Sequence, residues 1–403
     1  MIREFNLKIL ENIGVEVVPA EELEEILSEA QKSQKPLIVK LGMDPTSPDL
    51  HLGHYVVLKI AREFLEAGHK INIIIGDFTA KIGDPSGRNV TRPILSDKEI
   101  KANVKTYLNQ LSKALDVKKI KVFYNSDWFS KMKFEDVLKL SGMFSLNRIL
   151  EREDFKKRLG DQLEVRAHEI FYPMMQAYDS TVLESNVELG GVDQKLNILA
   201  GRQLQQAMGQ RQQIAILAPI LVGLDGQKKM SKSLGNYIGL NDKPEDIYGK
   251  VMSLNDNLML DYFRLVLGYP ENEIFEIKDK IRKGDNPMNF KKQLAYEIVE
   301  TFHSKKEADL AGGSFTKVFS KKEIPEEMPE VVMGESSAPL FEIIRSGIPV
   351  DEMTSSEIKR LIMQNSIKIN DKAISDPYHK IKLSPEGVVI KIGKRKWLKA
   401  IGK

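Results

Sequence analysis

The sequence predicts an α/β fold: a parallel sheet covered by helices, then a helix-rich stretch, then a small α+β module. Three observations carry that expectation. Through the first half, short β-branched runs alternate with longer stretches of helical spacing, the pattern a parallel sheet leaves in a chain. From about Lys243 helical spacing continues with no convincing strand until after residue 335. Residues 320–339 (SKKEIPEEMPEVVMGESSAP) have the charge, Pro and small polar residues of an extended linker, and helix and strand signals resume beyond them.

The candidate strands are 36–41 (PLIVKL), 71–75 (INIII), 120–124 (IKVFY), 186–189 and 214–217, all short enough to lie buried beneath helices. A helix is predicted over about 52–67, where Val56, Val57, Ile60, Ala61, Phe64 and Leu65 repeat at helical spacing and Gly68 is a natural C-cap. Pro244-Glu245-Asp246-Ile247-Tyr248 opens the helix-rich stretch. In the last module helices are expected at 340–345 and 355–364, the second capped by Ser355 or Thr354, with strands at 367–369 and 388–392. The expected division is 1–240 for the sheet domain, 241–320 for the helical one, 321–337 for the linker and 338–403 for the module.

Composition narrows the chemistry. A chain of 403 residues is long enough for several domains at about 100–200 residues each. Zero cysteines exclude a disulfide framework, a thiolate nucleophile and Cys-ligated zinc, leaving only His, Asp and Glu as metal ligands. No run reaches the roughly 18 apolar residues of a membrane span, and the opening MIREFNLKILENIG lacks the apolar core of a signal peptide. A soluble, cytoplasmic protein with no membrane partner is expected. The formal net charge of +3 hides a local surplus, because residues 380–403 hold eight Lys and Arg against Glu386 alone. That segment, with Trp397 inside it, reads either as a surface that tracks a phosphate backbone and stacks on a base or as a solvated tail.

Two fragments suggest nucleotide chemistry. The first candidate strand ends in Gly42-Met43-Asp44-Pro45-Thr46 and a helix begins at His51-Leu52-Gly53-His54. A helix start attracts phosphate through its unpaired N–H groups, two histidines three apart there reach the same oxygens, and Gly53 leaves room for a nucleotide. Read blandly, the histidines are a metal site, poor without a third ligand, or incidental polar residues. Far downstream, Lys228-Lys229-Met230-Ser231-Lys232-Ser233 sits between a Gly-Leu-Asp-Gly turn and Gly235-Asn236. Lysines on such a loop suit the charge that develops on a leaving pyrophosphate, although an isolated Lys/Ser loop is usually solvated surface.

Together these fragments resemble the HIGH and KMSKS signatures of class I aminoacyl-tRNA synthetases. Gly42 to His54 (GMDPTSPDLHLGH), 76–87 (GDFTAKIGDPSG), 171–179 (FYPMMQAYD), 188–194 (ELGGVDQ) and 224–236 narrow the resemblance to the tyrosyl-tRNA synthetase family, and the module from about 338 resembles the S4 RNA-binding domain. The resemblance implies a Rossmann-like sheet, ATP and L-tyrosine as substrates with Mg2+ accompanying ATP, tRNA(Tyr) as acceptor, no structural metal, and a homodimer with its interface in the insertion around 95–185. It implies that tyrosine is joined to tRNA through a tyrosyl adenylate, with release of pyrophosphate and AMP.

It also implies roles residue by residue. His51, His54, Lys229, Lys232, Arg88 and Arg92 act on the phosphates. Gly42, Asp44, Thr46, Gly53, Asp193, Met230, Ser231 and Ser233 complete the ATP site. Tyr172 and Gln176 hold the α-amino group, Asp179 accepts the phenol hydroxyl, Asp84 binds the ammonium, and Gln194 lies near the substrate carboxylate. Spacings of four and three put Tyr172, Gln176 and Asp179 on one helical face. The turn around Asp84 also reads simply as a tight turn. Lys391, Lys394, Arg395 and Lys396 are the expected RNA contacts. One departure stands out: the better-known bacterial branch has a tyrosine two residues before Gly42, and this chain has Lys40, so it resembles the second branch and Lys40 receives no role. The rivals are a tryptophanyl-tRNA synthetase, against which Asp179 and the tail module speak, an RNA-binding protein that keeps the body without turnover, and a smaller HxGH nucleotidyltransferase, which would lack the lysine loop.

Overall fold

Strands β1 (Glu16–Val18), β2 (Ile38–Met43), β3 (Lys70–Ile75), β4 (Lys121–Tyr124), β5 (Val187–Gly191) and β6 (Ile214–Ala218) form one sheet in the order β1-β6-β5-β2-β3-β4. The computed structural model describes the chain except residues 47, 85–95, 318–327, 350–352, 370, 371, 394, 395 and 403, and divides it into two units, Met1–Ala308 and Asp309–Lys403. All five strands read from the sequence are present, and they run parallel to one another. The sixth, β1, pairs antiparallel with β6 and has only three residues, too few to show a period. Strand β2 runs two residues past the expected end, because Gly42 and Met43 continue the ladder opposite Ile74 and Ile75.

Order and direction fix where a ligand is to be sought. From β2 the chain moves outward to β3 and β4, then β5 returns to the other side of β2 and β6 follows. The winding reverses between β2 and β5, and the carboxyl ends of those two strands open a crevice there. Helix Leu52–Glu66 follows β2, buries Leu52, Tyr55, Val56, Leu58, Ile60, Ala61 and Phe64, and is capped by Ala67, with Gly68 one residue further in the left-handed region (φ +93°). Its far side carries the helical stretch. Tyr55 stacks edge-on with Phe302 at 4.6 Å, and the buried Lys59 ammonium donates to the carbonyls of Leu265 (3.2 Å) and Val266 (3.1 Å). That stretch starts where the sequence indicates, with Pro244 in the first turn and Glu245 and Asp246 beside the helix N-terminus.

Between β4 and β5 lie the short helices Ser126–Phe129, Phe134–Ser141, Leu146–Leu150 and Glu153–Gly160, then the longer Ala167–Val182. Phe134, Leu138, Met143, Leu146, Leu159 and Leu163 are left exposed there.

The second unit holds β7 (Glu330–Met333), β8 (Ser337–Pro339), β9 (Ile367–Ile369), β10 (Lys372–Ile374), β11 (Lys380–Lys382), β12 (Val388–Ile392) and β13 (Lys396–Gly402). Five make a sheet ordered β10-β9-β12-β13-β7, and β11 pairs with β8. Helices Leu340–Gly347 and Ser355–Met363 share a core with Ile390 and Leu398, and Thr354 is the cap of the second, its hydroxyl accepting from the Glu357 N–H. One expectation is corrected. Residues 330–333 and 337–339, read as linker, are strands, and β7 takes its place only because β13, some seventy residues later, supplies its ladder. Of the two readings of the basic segment, the solvated tail does not hold, since the segment's described residues form β11, β12 and β13. Among the described residues no helix is long and apolar enough to cross a membrane.

Candidate active site

His51 is the N-cap of helix Leu52–Glu66, in extended backbone, and its main-chain N–H donates to His54 Nδ1 at 3.2 Å. That bond places the His54 ring proton on Nε2. The rings lie 3.9 Å apart, and both are neutral at pH 7: burial, then the charge of Lys229, takes His54 down to about 4, while burial, followed by the nearness of His54 and Lys229, holds His51 well below its ordinary value. A Cβ at Gly53 would meet the His51 ring at 3.1 Å and come within 3.9 Å of Met230 Cβ.

The lysine loop is therefore packed directly on the histidine turn, some 180 residues away in sequence. Backbone bonds secure this: Leu52 N–H donates to Ile238 O (3.0 Å) and Leu240 N–H to Leu50 O (2.9 Å). The loop itself is a small hairpin in which Gly223 N–H donates to Lys228 O and Met230 N–H to Leu221 O. Buried Asn236 locks it, accepting from the Ser231 N–H (2.8 Å) and donating to Asp225 (2.8 Å) and Lys229 O (3.1 Å). Gly235 makes the left-handed exit (φ +66°). Lys229 is paired with Asp193 at 2.8 Å and Lys232 with Asp49, so each ammonium exchanges a carboxylate for any phosphate it takes up.

At the other end of the crevice, helix Ala167–Val182 presents Tyr172, Gln176 and Asp179. Tyr172 OH donates to Asp44 (2.9 Å), as does the Thr79 hydroxyl (2.8 Å), while Gln176 Nε2 donates to Glu188 (3.0 Å). Gln194 donates to Asp84 at 2.7 Å. Asp179 is buried, accepts from Trp128 Nε1 (2.9 Å) and Asn125 Nδ2 (3.4 Å), and burial pushes its carboxyl up to about 7 against the downward pull of Lys40 and those two donors. One cleft of ≈ 520 Å³ is lined by all three groups: the histidine turn, the lysine loop and the Tyr172–Asp179 face.

The family model described as tRNA synthetases class I (W and Y) matches residues 31–320. The chain belongs to that family. Among curated relatives, the tyrosine–tRNA ligase of Carboxydothermus hydrogenoformans is 47% identical over 98% of this chain and 97% of its own, and that of Thermotoga maritima 45% over 100% and 98%. The solved structure of a C-terminally truncated mitochondrial tyrosyl-tRNA synthetase from Aspergillus nidulans superposes with a TM-score of 0.63 at 24% identity, covering 79% of this chain and 95% of that one, which supports the class I synthetase fold.

Within that fold, the expected residues Gly42, Asp44, Thr46, His51, Gly53, His54, Asp84, Tyr172, Gln176, Asp179, Asp193, Gln194 and Lys229 through Ser233 all border the one cleft. Arg88 and Arg92, and Lys394 and Arg395 in the tail, lie outside the described residues. Lys391 and Lys396 lie on β12 and β13, and the Lys391 ammonium sits 5.0 Å over the Trp397 ring, so that face of the indole already carries a cation. Sequence reading missed Asp49, Asn125 and Trp128, which touch the site only through the fold; only Asn236 had a local signal, its place after Gly235 at the loop exit. No group of three or more His, Asp or Glu able to hold a metal occurs among the described residues.

Proposed function

We infer that the chain joins L-tyrosine to its tRNA in two steps by way of tyrosyl adenylate. The observation that carries the choice of amino acid is Asp179: a buried carboxylate with two neutral donors, on the same cleft as the His51–His54 helix start. A phenol hydroxyl pairs with that carboxylate, whereas phenylalanine leaves it unpaired in a desolvated slot.

In the first step a tyrosine carboxylate oxygen attacks the α-phosphorus of ATP, the bond to the β-phosphate bridge breaks, and pyrophosphate leaves with the electron pair. The attacking group is ionised at neutral pH, its ordinary pKa being about 3.5, so no protein base is needed. What the protein supplies is position and charge. The neutral imidazoles of His51 and His54 donate N–H to phosphate oxygens, and Lys229 and Lys232 leave Asp193 and Asp49 to close over the pyrophosphate. Asp84 and Gln194, joined at 2.7 Å, receive the ammonium and carboxylate end of tyrosine together with Tyr172 and Gln176. Magnesium accompanies the ATP phosphates as part of the substrate. In the second step the terminal ribose hydroxyl of tRNA attacks the adenylate carbonyl and AMP departs.

The helical segment 241–320 and the basic module 338–403 are assigned to the tRNA. Phe134 and Leu138, exposed one turn apart on the same helix, support a homodimer interface within 95–185. The deciding experiment is exchange of labelled pyrophosphate into ATP with tyrosine, tryptophan or phenylalanine. Exchange with tyrosine alone is expected; exchange with tryptophan, or none, overturns the reading.

A further inference from the structure

Lys40 and Glu188 form an ion pair that none of the chemistry above uses. They are register partners on β2 and β5, the two strands on either side of the switch point, and their side chains are 0% and 1% exposed. The Lys40 ammonium has three protons and three acceptors: Glu188 at 3.0 Å, Ser180 Oγ at 2.7 Å and the Gln176 carbonyl at 2.8 Å. Glu188 in turn accepts from the Gln176 side-chain amide (3.0 Å), from the Ser180 hydroxyl (2.9 Å) and from Gln213. Gln176 is thus held at both ends, main chain and side chain, by one pair. Ion pairs this deeply desolvated add little stability over apolar residues of the same volume, so the reason for this one lies in what it holds.

We propose that Lys40 and Glu188 act as a single positioning unit for tyrosine recognition, clamping Gln176 against the sheet and presenting the Lys40 charge to Asp179. The proposal rests on the tyrosine reading above and deepens it. Two charged groups act on Asp179, Lys40 from β2 and Glu188 from β5, while Trp128 and Asn125, which donate to it from the segment after β4, are neutral. Lys40 favours the carboxylate that a phenol hydroxyl needs as acceptor, and Glu188 opposes it more weakly while keeping Lys40 in place.

The opposite signs make the test. Lys40→Met is expected to move the acid limb of kcat/KM for tyrosine up by about one pH unit, and Glu188→Gln, the weaker of the two influences on Asp179, to move it down by a smaller amount. The double variant Lys40→Met with Glu188→Gln removes both charges, keeps an acceptor for Gln176 and Ser180, and guards against a single variant that fails to fold. It is expected to melt near the parent temperature, with its limb above the parent's and tyrosine KM raised by about tenfold while kcat and the ATP KM change by no more than about threefold. A folded double variant with the parent's limb, tyrosine KM and tyrosine-to-phenylalanine ratio overturns the proposal, as do single variants that shift the limb in the same direction. A parent that shows no tyrosine-dependent exchange overturns the substrate reading instead.

Discussion

Asp179 works against its own surroundings. Burial raises its carboxyl from 3.8 to about 7, so the protonated form contributes stability that is complete below pH 3.8 and is lost as pH rises through about 7. The proposed role of Asp179 as phenol acceptor needs the ionised form, so the functional dependence has the opposite sign: kcat/KM for tyrosine should climb as pH rises through about 7 and level off above it, while kcat/KM for ATP should show no such limb. A pH profile of pyrophosphate exchange reads both, and a tyrosine profile flat from pH 5.5 to about 8.5 would contradict the assignment. Replacing the carboxylate by an amide, Asp179→Asn, should cut the preference for tyrosine over phenylalanine by roughly 10- to 100-fold, the cost of one mismatched buried polar group.

At the scale of elements, the site is a contact between two turns. Gly53 sits between the His51 ring and Met230, so Gly53→Ala inserts a methyl at 3.1 Å from that ring. Adenylate formation in a single turnover should slow by about tenfold or more with Tm nearly unchanged, because the strain falls on a ring and a loop rather than on the core. A parent-like rate would mean that the turn yields without moving His51. The lysine loop is proposed to close over the pyrophosphate as it leaves. Lys232→Ala, by removing an ammonium needed only as pyrophosphate develops charge, should lower the adenylate rate by about 100-fold and leave tyrosine KM within about twofold.

For the whole molecule, β7 decides where the tail can be cut. Because Glu330–Met333 is the edge partner of β13, removal should begin at residue 318 and leave no orphaned strand. The shortened chain is expected to keep tyrosine-dependent exchange and to lose tRNA charging; equal loss of both would show that the first unit does not stand alone. Assembly is tested on the exposed insertion helix, where Phe134 and Leu138 are one turn apart and 75% and 55% exposed. Phe134→Glu with Leu138→Glu should halve the mass in light scattering, and an unchanged mass would place the interface elsewhere.

Local patterns were enough for much of this protein. Five parallel strands, the histidine helix, the lysine loop and the Tyr172–Gln176–Asp179 face were legible because each is written in consecutive residues, as period, cap or motif. Local pattern failed wherever the partner lies far along the chain. Strand β7 looked like linker because its ladder is on β13, and Lys40 had no visible role because Glu188, Ser180 and Gln176 reach it only across the sheet. Asp49, Asn125 and Trp128 were silent for the same reason. Chemistry is thus carried by residue types at fixed spacing, whereas charge state and hydrogen-bond partnership depend on burial and distance in three dimensions, and those exist only once β2, β5 and helix Ala167–Val182 have met.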